Sequence, residues 1–201
     1  MITIINYGMG NLGSIQNMLK KIGTESNITS NSNEILNARK IILPGVGSFD
    51  RAMENLKALN LIEVPNKKAL IDNVPILGIC LGMQLLAKNS EEGNSSGLGW
   101  IDANVLKFNV DKALKIPHMG WNLVSNKKEH ELFKNMYPEP RFYFVHSYYF
   151  KCNDSKDILT NTEYGVEFTS AISKKNIIGV QFHPEKSHKF GMKLLENFAK
   201  L

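Results

Sequence analysis

Short apolar runs alternate with amphipathic stretches along the first half of the chain. Residues 1–6, Lys40–Leu43 and Val74–Cys80 read as strands that are buried on both faces. Leu12–Ile22 spaces its apolar residues as an amphipathic helix does. Parallel strands that are joined by helices bury both faces of their sheet. The alternation therefore predicts an α/β fold with a doubly wound, mostly parallel sheet and helices on both faces.

The remaining segments extend this pattern and then change it. Further predicted elements of the first half are a strand at Ser26–Thr29 and helices at Asn33–Ala38, Phe49–Ala58, Leu61–Asp72 and Gly82–Ala87. Residues 100–182 are mostly strand-like, in Ile101–Phe108, Arg141–Phe150, Ile158–Thr162, Val166–Ile172 and Ile177–Phe182, and Gly191–Leu201 is helical. The second half is therefore predicted to add an antiparallel or mixed portion to the sheet.

Length and composition limit the class of protein. A chain of 201 residues with 43% hydrophobic and 21% charged residues fits one globular domain, residues 1–201. The net charge of +5 comes from dispersed lysines without interleaved aromatic residues, so no nucleic acid is expected as a partner. No signal peptide or bilayer-length apolar run is recognisable, which predicts a cytoplasmic protein with no membrane attachment. Cys80 and Cys152 are predicted to be free thiols.

The stretch GICLGMQLL, residues 78–86, places Cys80 between two glycines where a buried strand meets a helical segment. A sharp strand-to-helix turn exposes the middle side chain and aims backbone N–H groups at it, as in a nucleophile elbow. The alternative for Cys80 alone is a small buried hydrophobic residue. Glycine-rich loops follow Asn6, Leu43 and Ile79, so the site is predicted where these loops meet, at the carboxyl ends of the parallel strands.

A catalytic thiol requires a base and a group that orients the base. His183 follows the strand that ends in GVQF, and Glu185 lies two positions further on, with Pro184 between them. Side chains two positions apart in an extended segment share a face, so imidazole and carboxylate can lie side by side. Taken singly, His183 fits a surface or capping histidine and Glu185 a solvated carboxylate. Together with Cys80 they are the predicted catalytic triad.

Acyl transfer at a thiol also requires hydrogen-bond donors for the developing oxyanion. One predicted donor is the N–H of Leu81, directly after the nucleophile. The second is the peptide of Val46 in PGVG, residues 44–47, where glycines on both sides allow it to turn toward the pocket. The same four residues also fit an ordinary turn at the end of a strand. The chain has no HExxH or CxxC pattern, so no metal and no cofactor are expected.

Five motifs appear in order along nearly the whole chain: ILPGVGSFD, GICLGMQLL, IPHMGWN, RFYFVHSYYF and GVQFHPEKS. Together they resemble the class I, triad-type glutamine amidotransferases, and most closely the members that supply ammonia in histidine biosynthesis. The resemblance implies that Cys80 attacks the side-chain amide of glutamine, forms a glutamyl thioester and releases ammonia. In that chemistry His183 is the acid and base, and Glu185 orients it.

The resemblance also implies further site residues. Gly47, Gln84 and the backbone around His146, Ser147 and Tyr148 match positions that bind glutamine. His146 is expected to support the site rather than react, and it also fits a core histidine. Gly10, Asn11, Met119 and Trp121 match segments that face a partner or its ammonia passage, although Trp121 is interpreted here as a core residue.

The chain is too short to include a synthase as well, so the resemblance implies one subunit of a heteromer. The expected partner is a (β/α)8 cyclase of histidine biosynthesis, in a heterodimer. The alternative partner is an N-acetyl sugar amidotransferase of surface-polysaccharide or flagellar sugar synthesis. His188 favours this alternative, because the histidine-pathway subunits usually have a small residue there. A non-catalytic module that retains the fold is a third reading, and the presence of all three triad residues opposes it.

Overall fold

The computed structural model describes residues 1–201. Its strands are β1 (Ile2–Ile5), β2 (Ser26–Thr29), β3 (Ile41–Gly45), β4 (Ile76–Cys80), β5 (Asn89–Ser90), β6 (Ala103–Lys107), β7 (His118–Leu123), β8 (Ser125–Asn126), β9 (Arg141–His146), β10 (Tyr148–Cys152), β11 (Ile158–Glu163), β12 (Glu167–Lys174) and β13 (Ile177–Val180). The α-helices are α1 (Leu12–Lys21), α2 (Ser32–Leu36), α3 (Phe49–Ala58), α4 (Glu63–Leu70), α5 (Leu81–Gln84) and α6 (His188–Lys200). None of these helices has the length and apolar composition that a membrane crossing requires.

Eleven strands form one mixed sheet in the order β2-β1-β3-β4-β13-β12-β10-β6-β5, with β11 beside β12 and β8 beside β11. The strands from β2 to β13 in this order run parallel, and antiparallel pairing begins between β13 and β12. Strands β7 and β9 form a separate antiparallel sheet. The predicted α/β class, with a mostly parallel sheet and an antiparallel portion from the second half, is therefore confirmed.

Helices cover both faces of the main sheet. Successive strand residues enter opposite cores, as Ile4 and Ile5 of β1 do, because side chains alternate across a strand. One core holds buried residues of α1 and α6, among them Leu19 and Leu194. The other holds residues of α2, α3 and α4, among them Leu56. The double layer leaves the carboxyl ends of the parallel strands open for a site.

The main correction to the predicted elements is an interruption at Ser147, where one predicted strand becomes two. Arg141–Phe150 was expected as one strand, but β9 pairs with β7 whereas β10 pairs with β6 and β12. Strand β7 was not predicted, because Gly120 interrupts it and its large apolar side chains face outward. The break brings the backbone of residues 146–148 to the edge where β4 ends.

The elbow helix is also shorter than predicted. Instead of Gly82–Ala87, the α-helix is the single turn α5. The carbonyl groups of Leu85 and Ala87 accept hydrogen bonds from Leu98 and Gly99, so a loop replaces the helical hydrogen bonds there. The tertiary contact ends the helix, although the local sequence favours its continuation.

Close contacts with backbone atoms require glycine at two positions around the elbow. A Cβ atom on Gly82 would lie 1.8 Å from the carbonyl oxygen of Leu43 in β3. A Cβ atom on Gly78 would lie 2.7 Å from the carbonyl oxygen of Gly82. Neither oxygen can move without displacing a buried strand or the elbow itself. Only glycine therefore allows the turn after β4 to pack this closely on β3.

Replacement of Gly82 by alanine is expected to lower the free energy of unfolding by more than about 2 kcal/mol, because the new methyl group overlaps backbone atoms. Gly13→Ala is the matched control, since Gly13 is exposed in α1 and its Cβ position is free of neighbours within 4 Å. That control is expected to stabilise the helix by up to about 1 kcal/mol. Urea unfolding measures both changes, and equal stabilities for the two variants would contradict the packing argument.

Candidate active site

Cys80 occupies a strained turn at the carboxyl end of β4. Its backbone has φ 54° and ψ −111°, a left-handed conformation that residues with a side chain rarely adopt. Such strain persists only where surrounding packing enforces it, and here the glycine contacts with β3 do so. The turn has the strained strand-to-helix geometry that the predicted nucleophile elbow requires.

His183 and Glu185 form a buried pair in the segment after β13. The Nδ1 of His183 lies 2.7 Å from the Glu185 carboxylate, and the two side chains are only 1% and 2% exposed. Ser187 donates from its hydroxyl to the His183 carbonyl, and the His183 N–H donates to Tyr143. Because Nδ1 binds the carboxylate, the unpartnered Nε2 is free to accept or donate a reacting proton.

The charges around His183 favour its protonated form. Burial by itself lowers the pKa of His183, but interactions with the nearby Cys80 side chain and the Glu185 carboxylate outweigh that effect and raise the pKa well above its ordinary value. An imidazolium beside a thiolate is the reactive form of a cysteine nucleophile. The three predicted triad residues therefore lie near one another, with His183 favoured in its protonated form.

A cavity of about 320 Å³ opens beside Cys80. Its lining comprises Val46, Gly47, Cys80, Leu81, Gln84, Glu92, Pro117, Val145, His146, Ser147 and Tyr148. The structure therefore places all seven predicted oxyanion and substrate residues around the nucleophile. The volume lies at the small end of ligand pockets, which suits a free amino acid.

Three residues of the cavity lining were not predicted from the sequence, namely Glu92, Pro117 and Val145. Glu92 lies in the polar stretch NSEEGNSS, where nothing distinguishes it from a loop carboxylate. In the fold its carboxylate accepts the Phe49 N–H at 2.8 Å, and burial raises its pKa. It is the only carboxylate in the cavity lining, so it is the natural contact for a cationic substrate group.

Residues of the first loop hold the PGVG segment. The Tyr7 hydroxyl donates to the Pro44 carbonyl at 2.6 Å, and burial raises the pKa of Tyr7, which keeps this donor protonated. Gly47 has φ +107°, and its Cβ position lies 2.7 Å from the Met9 methyl carbon. Val46, which precedes Gly47 in this segment, is 41% exposed. Tyr7 and Met9 therefore position the predicted oxyanion loop, a role that sequence reasoning missed.

Two buried histidines continue the hydrogen bonding away from the cavity. His146 Nδ1 lies 2.8 Å from the Tyr148 carbonyl, so Nδ1 must be the donor and the neutral Nε2 an acceptor. That Nε2 accepts from His118 Nδ1 at 3.0 Å, and His118 Nε2 accepts from Asn122 at 3.3 Å. Each ring is a neutral link with one defined tautomer. His146 therefore lines the cavity and is held there by hydrogen bonds on both ring nitrogens.

An apolar strip is exposed on β7. Met119, Trp121 and Leu123 are 60%, 45% and 49% exposed, because they alternate on the outer face of a sheet that has only two strands. The interpretation of Trp121 as a core residue is thus wrong. His188 stacks on the Trp121 ring, with centroids 5.5 Å apart and planes 9° from parallel. Asn11 is also exposed and Gly10 is partly exposed.

Cys152 lies at the end of β10. It is a free, half-buried thiol that donates to the Asp154 carbonyl at 3.2 Å, and burial raises its pKa to about 11. This protonated thiol is a poor nucleophile. No cluster of three or more His, Cys, Asp and Glu side chains could hold a metal ion.

Comparisons with known proteins agree with this geometry. The family model described as Glutamine amidotransferase class-I matches residues 3–201. The chain is 60% identical over 200 residues to imidazole glycerol phosphate synthase subunit HisH 2 of Methanococcus maripaludis, which covers 100% of this chain and 99% of that protein. It is 47% identical over 201 residues to the protein of the same name from Pseudomonas aeruginosa, with 100% of both chains covered.

Solved structures give the same fold at lower identity. A crystal structure of a glutamine amidotransferase has a TM-score of 0.77 at 15% identity, with 100% of each chain covered. The structure of PurLQS from Thermotoga maritima has a TM-score of 0.74 at 18% identity, covering 99% of this chain and 97% of that one. These likenesses concern the fold alone.

The neutral histidine pair predicts a loss of stability in mild acid. Burial lowers the pKa of His118 to about 4 and that of His146 to about 3, so the unfolded chain binds more protons below its ordinary histidine pKa. The free energy of unfolding is expected to fall by about 1 to 3 kcal/mol between pH 7 and pH 5. Paired carboxylates contribute little in this range, since they lose their charge at lower pH.

Urea unfolding at both pH values measures this effect. His118→Phe removes one titrating group from the aromatic cluster and is expected to reduce the pH dependence, although its stability at pH 7 falls because His146 loses a donor. Thr160→Val is the control, since it removes a buried hydrogen bond to Ser170 but no titrating group, and it is expected to leave the pH dependence unchanged. An identical pH dependence in His118→Phe and the parent would contradict the assignment.

Proposed function

The chain belongs to the class I glutamine amidotransferases, and we propose that it is the glutaminase subunit of imidazole glycerol phosphate synthase in histidine biosynthesis. Residues 1–201 form one amidotransferase domain that hydrolyses glutamine and passes ammonia to a cyclase. The observation that carries the glutaminase activity is the buried His183–Glu185 pair near Cys80, which itself lines a cavity that suits one amino acid. The choice of ammonia acceptor is supported by two proteins that are named as this subunit and are 60% and 47% identical to the chain over its whole length.

The first half-reaction releases ammonia. The Cys80 thiolate attacks the side-chain carbonyl carbon of glutamine, and the oxyanion that forms is held by the N–H of Leu81 and by the PGVG peptide at Val46. The C–N bond then breaks, and His183 gives its proton to the departing nitrogen. Glu185 keeps the imidazole in the required tautomer and stabilises its positive charge.

The second half-reaction regenerates the thiol site. His183, now neutral at Nε2, takes a proton from a water molecule as the water oxygen attacks the thioester carbonyl carbon. The C–S bond breaks, glutamate leaves, and the electron pair returns to the Cys80 sulfur. The enzyme is again a thiolate beside an imidazolium, ready for another glutamine.

The remaining cavity residues select the amino-acid part of the substrate. Glu92 is the charged partner for the α-ammonium group, because no other carboxylate faces the cavity. Gln84, Gly47 and the backbone of Ser147 and Tyr148 supply hydrogen bonds to the rest of glutamine. The small volume suits a free glutamine.

Ammonia must be passed on without contact with water, because most of it is protonated at neutral pH. The partner is a (β/α)8 cyclase that forms a heterodimer with this chain. Its docking surface includes the exposed apolar strip of Met119, Trp121 and Leu123, since such patches on a soluble surface mark contact sites. Gly10 and Asn11 are proposed to face the same partner.

A sugar amidotransferase is the second candidate partner. His188 stacks on Trp121, so the residue at which this chain departs from the histidine-pathway subunits lies on the docking surface itself. A changed residue there affects which partner binds and leaves the triad untouched. The two candidates share the glutaminase reaction and differ only in the acceptor of ammonia.

Glutamate release from glutamine tests both parts of the proposal. The chain is expected to hydrolyse glutamine weakly alone and strongly with the histidine-pathway cyclase and its ribonucleotide substrate. Cys80→Ala is expected to abolish hydrolysis and labelling by a glutamine-like electrophile while cyclase binding persists. Cys152→Ser is the matched control and is expected to retain full activity. Labelling of Cys80 without stimulation by the cyclase would transfer support to the sugar amidotransferase.

Glu185→Gln tests the assignment of His183 as the general acid. Loss of the carboxylate lowers the pKa of His183, so the alkaline limb of kcat/KM is expected to move to lower pH. The amide also allows the wrong tautomer, and kcat is expected to fall by about two to four orders of magnitude. A variant with lower kcat but an unmoved alkaline limb would argue against His183 as the titrating acid.

A further inference from the structure

We propose that Gln181 is a further catalytic residue, whose side-chain N–H donates to the Cys80 thiolate and stabilises it during both half-reactions. The proposal rests on the glutaminase function above. Gln181 follows β13 and is completely buried, and its Nε2 lies 3.8 Å from the Cys80 sulfur. A sulfur atom is larger than oxygen and accepts hydrogen bonds at such distances. Buried amides are almost always hydrogen-bonded, so this contact has to satisfy a donor.

The orientation of the Gln181 amide follows from its neighbours. The Tyr148 carbonyl can only accept, so the group of Gln84 that lies 3.0 Å from it must be the NH₂. The same NH₂ lies 3.1 Å from Gln181, which must therefore present its oxygen to Gln84. The Gln181 NH₂ is left facing the sulfur. The flipped amide would place two NH₂ groups together and an oxygen against the thiolate, and both contacts are repulsive.

The sulfur has different partners in its two protonation states. As a thiol, Cys80 donates to the Val145 carbonyl at 4.0 Å. As a thiolate it has no hydrogen to donate, the carbonyl repels it, and Gln181 is the neutral donor in reach. Hydrogen bonds to charged groups are stronger than those between neutral groups. Gln181 therefore favours the thiolate over the thiol.

The same donor assists the return of the sulfur as a leaving group. When water attacks the thioester, the C–S bond breaks and the electron pair moves to sulfur, where negative charge develops. The Gln181 N–H already faces that atom and needs no reorientation, because Gln84 and the Tyr148 carbonyl hold the amide. Loss of this donor is expected to slow thiolate formation and thioester hydrolysis together.

Alkylation of Cys80 by iodoacetamide reports on thiolate formation without requiring glutamine. In a Cys152→Ser background Cys80 is the only thiol, and its alkylation rate is measured against pH. Gln181→Met preserves the length of the side chain but removes the donor. The pH midpoint is expected to rise by about one to two units, which corresponds to roughly 10- to 100-fold slower alkylation at any pH below both midpoints. Gln181→Glu retains an oxygen for Gln84 and adds a negative charge, so its midpoint is expected to rise further.

The control is Thr160→Val, which removes a buried side-chain hydrogen bond to Ser170 in the same sheet. It is expected to leave the alkylation midpoint unchanged, so a general loss of packing is distinguished from loss of the donor. If Gln181→Met does not fold, as judged by circular dichroism, Gln181→Leu supplies the result, because it also removes the donor without adding a charge. Folded variants of Gln181 with the parent midpoint would overturn the inference.

Glutamine hydrolysis by the same preparations, with the cyclase and its ribonucleotide, separates the two proposals. The Gln181 variants are expected to lose kcat by a similar factor with little change in KM. A parent that hydrolyses glutamine, combined with unmoved alkylation midpoints in the variants, rejects the role of Gln181 and leaves the function standing. A parent that is alkylated at Cys80 but hydrolyses no glutamine with any acceptor enzyme rejects the function and, with it, the catalytic role.

Discussion

The contact between the Gly82 backbone and the Leu43 carbonyl determines where the nucleophile lies. It forces the chain to reverse immediately after β4, and the reversal holds Cys80 at φ 54°. Neighbouring parallel strands end at the same edge, so β3 supplies the PGVG loop and β13 leads directly into His183. The strained backbone at Cys80 is tolerated because two buried cores hold these strands in place from both sides.

Two series of side-chain hydrogen bonds meet at the Tyr148 carbonyl. It accepts from Gln84 on the side of the nucleophile and from His146 on the opposite side. Because a carbonyl can only accept, it defines the orientation of every amide and imidazole in both series. One series of hydrogen bonds continues through Gln84 and Gln181 to the Cys80 sulfur. The other continues through His146 and His118 to Asn122. The cavity wall is thus a polar network in which each member has a partner, which makes it rigid.

This arrangement separates chemistry from the transfer of ammonia. The side chains of the predicted triad are buried, whereas Val46 of the predicted oxyanion loop and the apolar strip on β7 are exposed. Asn122 is next to Trp121 in β7, so consecutive hydrogen bonds connect Cys80 with the strand that carries the exposed apolar strip. The first loop touches the oxyanion segment at Met9 and Tyr7, close to Gly10 and Asn11. A partner that covers the strip and this loop would contact the parts of the site that face solvent.

The sequence by itself determined the α/β class, most strand positions in the parallel half, the elbow cysteine and the His183–Glu185 pair. Those features are local, since hydrophobic periodicity, flanking glycines and a spacing of two residues are visible in a short window. Tertiary structure decided the break of the predicted strand at Ser147, the outward position of Trp121, the one-turn elbow helix and the entry of Glu92 into the cavity. It also decided the contact of Gln181 with Cys80. Each of these depends on which distant segment supplies a hydrogen bond or leaves a face uncovered, and no local pattern encodes that pairing.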